Sequence, residues 1–320
     1  MLVLKIRDLV AVILNLIPIS AFYFLRDAQL KTGFRGGASS MLIKYFIRYR
    51  KVDEKIKQFH LVDDPLIKFN NDGSYISRQL FWRGSRGYEY FESQLWKHLC
   101  GNKKDKKIVE MGGNIGYFSV LGGASRLNPA YITVEGNPRT AELLSSNIKL
   151  NNLDVNVDVV SAAVVGRKIE ETTEMFIPVE ENDEPAPAGA FIAGGESINR
   201  VATYSVKVKT VEASDLVKNA DLIKLDIEGY EFIVLDSILD RLIKMKPLIW
   251  VEVRRNTHEL RGLLSKLALE HAYSIYAISP DGLKQVCGNS IKTVVLQESH
   301  NTRDVILVPD ERKSLIDSFQ

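Results

Sequence analysis

Two acidic residues that close apolar runs are the first sign of chemistry in this sequence. Glu110 follows an apolar pair at 108–109, and Glu135 ends the run 131–135. A carboxylate at the tip of a strand can accept hydrogen bonds from both hydroxyls of a ribose, and the spacing of the two acids fits one strand–helix–strand unit. The pair predicts a site for a nucleotide-like ligand. The alternative for Glu135 is a solvated strand end.

A glycine-rich turn follows Glu110. Gly112 and Gly116 can adopt backbone angles closed to other residues, and they place no side chain where a ligand approaches. Asn114, however, stands where the dinucleotide fingerprint requires the closest approach of the backbone to a pyrophosphate. The turn therefore favours a nucleotide-like ligand other than NAD.

The motifs resemble a known family. Four blocks, at residues 110–116, 134–138, 161–164 and 224–231, are similar in type and order to those of the FkbM family of S-adenosylmethionine-dependent O-methyltransferases. With a helix at 88–96 and a strand at 304–309, the resemblance covers roughly residues 88–310. Glu110 and Gly113 replace the usual Asp and Ala of the family. Both departures are mild, since the carboxylate is kept and Gly is smaller than Ala.

The resemblance implies a fold and a set of cofactor contacts. The fold is an α/β, doubly wound, mostly parallel sheet of the Rossmann-like class I methyltransferase kind, with an N-terminal helical extension. The cofactor is S-adenosylmethionine. Its expected contacts are Glu110, Gly112, Gly113, Asn114, Gly116, Tyr117, Phe118, Glu135, Gly136, Asn137, Ala162, Ala163 and Asp226.

Methyl transfer to a hydroxyl requires that the oxygen, the methyl carbon and the sulfur be held in line. The hydroxyl must also lose its proton, and a carboxylate within hydrogen-bond reach can act as the general base. Asp226 and Glu228 follow a buried-strand pattern and are the first candidates. Glu252, which ends another strand, and His258 are the next, although a lone histidine is more often structural. The acids lack a diagnostic metal-binding spacing, so no metal is expected.

The elements that must position these residues alternate along the chain. Strands are expected at 131–135, 155–160, 222–226 and 248–253, with a helix at 139–150 that begins at an Asn-Pro start signal. Such alternation predicts a parallel sheet with helices on both faces, and its ligand should lie at the carboxyl ends of the strands.

Residues 178–203 interrupt the pattern with an acidic cluster, three prolines and two adjacent glycines. A loop of this length in a domain is more often functional than idle. We interpret it as a lid or acceptor loop, with Ser197, Asn199 and Arg200 as substrate contacts. The alternative is an acidic surface loop.

The N-terminus is basic and apolar. Residues 1–60 hold eleven Lys/Arg against four Asp/Glu, and residues 9–25 form an apolar stretch shorter than the ~20 residues of a spanning helix. A second segment, 41–51, combines an aromatic stripe with basic flanks. Residues 1–51 therefore favour attachment to an anionic membrane surface, on its cytoplasmic face. The alternative is a helical pair packed on the catalytic domain or on a second subunit of a homodimer.

Three regions follow from these features: a hydrophobic, basic segment at 1–35, a helical cap at 36–100 and a catalytic domain at 101–312. The two cysteines form neither a metal spacing nor a disulfide framework, which favours a reducing, cytoplasmic compartment. No nucleic-acid module accompanies the basic segment.

Three functions remain in view. The first is an S-adenosylmethionine-dependent methyltransferase acting on a hydroxyl of a sugar, glycan, lipid-linked saccharide or polyketide-type product. The second is a nicotinamide-dependent oxidoreductase, against which Asn114 and the block 226–229 weigh. The third is a membrane-associated binding protein without catalysis, which the intact acids and glycines disfavour.

Overall fold

The chain divides into two units, Met1–Tyr90 and Phe91–Gln320. The computed structural model describes residues 56–102, 106–178, 189–192 and 203–317, together with Phe24 and Phe319. The N-terminal segments at 1–35 and 41–51, and with them the membrane prediction, lie outside the described residues apart from Phe24.

The described part of the first unit is a small hairpin followed by a helix. Strands β1 (Gln58–His60) and β2 (Lys68–Asn70) pair antiparallel, and helix α1 spans Tyr75–Arg83. The helix begins where the Ser74 side chain accepts a hydrogen bond from the backbone N–H of Ser77. The rings of Phe59 and Phe81 pack edge to face at 5.5 Å, which joins the hairpin to the helix.

An eight-stranded sheet forms the centre of the second unit. Its strands are β3 (Lys107–Met111), β4 (Ala130–Glu135), β5 (Val157–Ser161), β10 (Leu222–Leu225), β11 (Leu248–Glu252), β12 (Tyr273–Ser279), β13 (Gly282–Val286) and β14 (Asp304–Pro309). Their order in the sheet is β13-β12-β14-β11-β10-β3-β4-β5. β11, β10, β3, β4 and β5 run parallel, whereas β14 pairs antiparallel with both β11 and β12.

Helices cover both faces of this sheet, as the sequence predicts. They are α2 (Tyr90–Gly101), α3 (Tyr117–Gly123), α4 (Pro138–Leu150), α5 (Ala213–Leu216), α6 (Glu231–Ser237), α7 (Leu239–Met245), α8 (His258–Glu270), α9 (Leu296–Ser299) and α10 (Ser314–Asp317). One face packs apolar residues of β3, β10 and β11 against α5, α6 and α8. On the opposite face, Trp96 of α2 and Phe118 of α3 pack against Trp250 of β11. The predicted doubly wound, mostly parallel fold is confirmed.

A second, four-stranded sheet was not foreseen from the sequence. It has the order β6-β9-β7-β8 and consists of β6 (Ala163–Val165), β7 (Thr172–Pro178), β8 (Phe191–Ile192) and β9 (Thr203–Glu212). Met175, Ile177 and Val208 belong to its small apolar core. β7 and β9 flank the acidic segment, so most of the predicted loop at 178–203 connects strands of this sheet.

Within the part of the chain that the structure describes, no helix is both long enough and apolar enough to cross a bilayer.

Candidate functional site

The glycine turn lies between β3 and α3, at the carboxyl edge of the main sheet. Gly112 and Gly116 have left-handed backbone angles, with φ of +92° and +86°. A Cβ atom at Gly112 would lie 1.9 Å from the carbonyl oxygen of Asp226. The space left by the missing side chain is therefore filled by the neighbouring strand's backbone, which brings Asp226 directly beside the turn.

Residues of β4 and α4 pack against the same turn. A Cβ at Gly113 would lie 2.3 Å from the Thr133 hydroxyl oxygen and 2.5 Å from a Leu144 methyl carbon. The buried Asn147 side-chain amide donates a hydrogen bond of 2.8 Å to the carbonyl oxygen of Ile115. Asn147 could not be predicted from the sequence, because an isolated amide in a helix has no signal that links it to a turn 32 residues earlier.

Glu135 is bound to the turn by backbone donors. One carboxylate oxygen accepts from the N–H of Asn114 at 2.9 Å, and the other accepts from the N–H of Asn137 at 2.8 Å. The side chain is half-buried. Burial raises the pKa of Glu135 to about 7, although both hydrogen bonds oppose this shift. A second lone pair on each oxygen remains to accept hydroxyls of a ligand at this edge.

Glu110 faces the interior of the protein. Its carboxylate accepts hydrogen bonds of 2.6 Å from the hydroxyls of both Ser119 and Tyr131. Burial raises the pKa of Glu110, while Lys224 opposes the shift. Since Glu110 is fully buried among these hydroxyls, its observed contacts anchor α3 and β4 to β3.

The two predicted aromatic residues after the turn are buried as well. Tyr117 and Phe118 begin α3, and the Phe118 carbonyl accepts a hydrogen bond of 3.0 Å from the Trp96 indole. The Lys224 ammonium lies 4.9 Å from the centroid of the Phe118 ring. Phe118 therefore belongs to an aromatic layer beneath the edge.

The remaining predicted cofactor residues follow β4 and β5. Asn137 caps α4 by accepting a hydrogen bond of 3.2 Å from the N–H of Arg139. The N–H of Ala162 donates to the Glu135 carbonyl at 3.0 Å. Ala163 begins β6 in the second sheet, and a Cβ at Gly136 would lie 2.2 Å from the Met175 methyl carbon. These small residues thus join the two sheets beside Glu135.

Asp226 is the most accessible acid next to the turn. It follows β10, and its backbone N–H donates to the Met111 carbonyl at 3.0 Å. Its side chain is 42% exposed, and one carboxylate oxygen lies 3.5 Å from the ammonium of the buried Lys224. Asp226 therefore presents a negatively charged oxygen at the carboxyl edge.

Glu228 and Glu252 share one arginine, Arg254. Its Nε donates to Glu252 at 2.8 Å, and its Nη2 donates to Glu228. Burial raises the pKa of Glu228, and Arg254 opposes that shift. The arginine thus ties the end of β10 to the end of β11.

Glu231 holds the turn that carries Glu228. One oxygen of the Glu231 carboxylate accepts from the backbone N–H groups of Ile227 at 2.9 Å and of Gly229 at 3.2 Å. Between them, Glu228 has a left-handed φ of +60°, which is uncommon for a residue with a side chain. Glu231 therefore has a structural role in this turn.

His258 and Asp304 differ in their surroundings. His258 is exposed at the first residue of α8. Asp304, for which the sequence carries no functional signal, begins β14 opposite Glu252 and accepts a hydrogen bond of 3.0 Å from the Trp250 indole. Burial, followed by the charge of Asp226, raises the pKa of Asp304.

The fold thus gathers Glu135, Asp226, Glu228 and Glu252 at the same edge of the sheet. Ser197, Asn199 and Arg200 lie outside the described residues. Among the described ranges, no group of three or more His, Cys, Asp or Glu side chains is arranged to hold a metal ion.

Comparison with known proteins gives a family. The model of the methyltransferase FkbM domain matches residues 110–275, which is just over half of the chain. None of the curated proteins compared with this sequence matches it.

Solved structures give weaker similarities. The methyltransferase FkbM from Methylobacillus flagellatus KT is 16% identical, with a TM-score of 0.36, over 54% of this chain and 40% of that protein. The present chain therefore spans less than half of that structure. A putative O-methyltransferase from Klebsiella pneumoniae is 12% identical, with a TM-score of 0.37, over 68% of this chain and 80% of that one. The O-methyltransferase from Bacillus cereus is 14% identical, with a TM-score of 0.36, over 68% and 79%.

Proposed function

Because this chain belongs to the FkbM methyltransferase family, we propose that it transfers a methyl group from S-adenosylmethionine to a hydroxyl of a sugar, glycan or related natural product. Membership favours an S-adenosylmethionine-dependent methyltransferase with a Rossmann-like fold over the nicotinamide-dependent and non-catalytic alternatives. The acceptor class and the general base are our proposals.

The residues at the glycine turn fit the cofactor. Glu135 offers a carboxylate already held in place by two backbone N–H groups, which suits the two hydroxyls of a ribose. We place the adenine ring beside Gly136, which is partly exposed, because Ala162 and Ala163 are buried at the junction of the two sheets. Bound there, S-adenosylmethionine supplies an electrophilic methyl group on its sulfonium. In this assignment, the buried side chains of Glu110, Tyr117 and Phe118 support the turn from the interior of the protein.

The observation that carries the proposal is the position of Asp226. Its carboxylate is exposed beside Gly112, whereas both Glu228 and Glu252 are bound to Arg254. A base must have a free lone pair within reach of the hydroxyl proton. Asp226 meets that requirement best, so we assign it as the base that removes the proton as the oxygen attacks. While the Asp226 carboxylate is still unprotonated, the Lys224 ammonium offsets its negative charge.

The acceptor itself is open to a direct experiment. The purified enzyme is incubated with methyl-labelled S-adenosylmethionine and a small-molecule extract of cells, and products are identified by mass spectrometry. We expect a labelled methyl ether, which withstands mild base. Label in a base-labile ester, or on nitrogen, would contradict transfer to a hydroxyl.

Glu135→Ala is expected to weaken S-adenosylmethionine binding. The loss of a charged acceptor for two hydroxyls should cost about 1–3 kcal/mol, or roughly 5–150-fold in Kd. Calorimetry measures the change, with Glu142→Ala as the matched control, since Glu142 is an exposed acid of α4. Equal affinity of the two variants would contradict the ribose assignment.

The pH dependence of the same Kd is a second readout. Because the pKa of Glu135 is raised to about 7, the carboxyl gains its proton as the pH falls through that value and then accepts hydroxyl protons less well. Wild-type affinity should therefore fall below pH 7, by at most about tenfold per pH unit. In Glu135→Ala this part of the dependence should be lost.

We also propose that residues 1–51 attach the enzyme to the cytoplasmic face of a membrane. The sequence supports this, since each Lys or Arg near an anionic surface adds about 1 kcal/mol to binding. The full chain should float with anionic liposomes less strongly as salt rises, and a chain lacking residues 1–35 should float less. Both should bind S-adenosylmethionine. Equal flotation would instead favour packing on the catalytic domain or in a homodimer.

A further inference from the structure

Arg254 occupies an unusual position at the carboxyl edge. It lies two residues beyond β11, only 8% of its surface is exposed, and its side chain bridges Glu228 and Glu252. Burial disfavours the charge of Arg254, but Glu252 and Glu228 more than offset this and raise the pKa of the guanidinium. The group is therefore a fixed cation held in one orientation.

One end of this guanidinium has no partner within the described part of the chain. Nε and Nη2 donate to the two glutamates, whereas the buried Nη1 has no hydrogen-bond acceptor among the residues that the structure describes. Most buried polar atoms in proteins are paired, and an unpaired donor at a charged group is costly. The two N–H groups of Nη1 can therefore donate to a ligand oxygen close to the segment 226–228.

The surrounding charges limit what that oxygen can be. Arg254 and Arg303 are balanced by Glu228 and Glu252, and Lys224 is balanced by Asp226. The other acids of this edge, Glu135 and Asp304, carry either no charge or a negative one. Among these described groups, no net positive charge remains to offset the desolvation of a phosphate or carboxylate.

We propose that Nη1 of Arg254 binds an uncharged oxygen of the acceptor, namely a hydroxyl, ether or carbonyl oxygen near the reacting hydroxyl. This inference rests on the proposed function, because it requires the acceptor to lie beside Asp226. Arg254 then selects a neutral unit, such as an unmodified sugar ring, over a uronic acid or a phosphorylated unit.

The first arm of the test examines the product. The labelled, base-stable product from the wild-type enzyme and a cell extract is hydrolysed to its component units, and these pass over anion-exchange and cation-exchange resins. We expect the label in the unbound, neutral fraction. Label retained on either resin would overturn the neutral acceptor. If no base-stable label forms at all, the proposed hydroxyl methylation itself fails, and this inference fails with it.

The second arm examines Arg254→Lys, which keeps the charge but removes the planar pair of N–H groups. We expect half-saturation by the acceptor extract to require about tenfold to a hundredfold more extract, with the Kd for S-adenosylmethionine unchanged. The control is Arg303→Lys, because Arg303 also pairs with Glu252 but is 47% exposed. An Arg254→Lys enzyme that binds S-adenosylmethionine normally and saturates like the control would show that Arg254 is only structural. Should that variant fail to fold, the product arm still decides.

Discussion

Asp226→Asn is expected to lower turnover by about 10²–10⁴-fold, which is the usual loss when a general base is removed. The amide keeps the shape of the side chain but cannot accept the proton of an attacking hydroxyl. S-adenosylmethionine affinity should stay within a small factor, because the ribose acceptor in our assignment is Glu135. Single-turnover methyl transfer with saturating cofactor measures the chemical step without the binding step.

The control for this variant is Asp158→Asn, since Asp158 is exposed on β5. It should methylate at the wild-type rate. If Asp226→Asn is equally active, the base lies elsewhere. Asp304 would then be the next residue to test, because burial and the neighbouring Asp226 raise its pKa.

Gly112→Ala is expected to destabilise the catalytic unit strongly. The added Cβ would lie 1.9 Å from the Asp226 carbonyl oxygen, and the backbone at φ +92° disfavours any side chain. Overpacking and a strained backbone each cost about 1–3 kcal/mol. Each kcal/mol should lower the melting temperature by about 2–4 °C in a unit of this size.

Gly262→Ala provides the matched control of opposite sign. Gly262 lies within α8, and a Cβ there would meet nothing within 4 Å. Alanine in a helix interior is favoured over glycine by roughly 0.5–1 kcal/mol, so this variant should melt slightly higher than the wild type. Thermal unfolding of the two variants side by side separates a specific clash from a general sensitivity to alanine. A Gly112→Ala protein as stable as the wild type would contradict the packing described at the turn.

The sequence was most informative where local patterns coincide with the topology. Buried runs such as Leu222–Leu225 predict parallel strands, and an acid after such a run must lie at the carboxyl edge. The strand pattern alone therefore predicts that Asp226 and Glu252 lie at one edge. Asn137 followed by a proline likewise predicted the start of α4.

Features that depend on contacts distant in sequence could not be predicted. The direction of the Glu110 side chain is set by hydroxyls of Ser119 and Tyr131, which reach it only after α3 and β4 have packed. The pairing of β6 with β9 joins segments more than forty residues apart. Arg254 gave no signal either, because its role depends on two glutamates from different strand ends.

The central claim is that Glu135 holds the ribose while Asp226 faces the reacting centre. A crystal structure of the protein with S-adenosylhomocysteine tests this most directly. We predict that both ribose hydroxyls donate to the Glu135 carboxylate and that the homocysteine chain of the ligand crosses the glycine turn. The sulfur should lie on the side of Asp226. A ribose bound away from Glu135, or a sulfur remote from Asp226, would contradict the account.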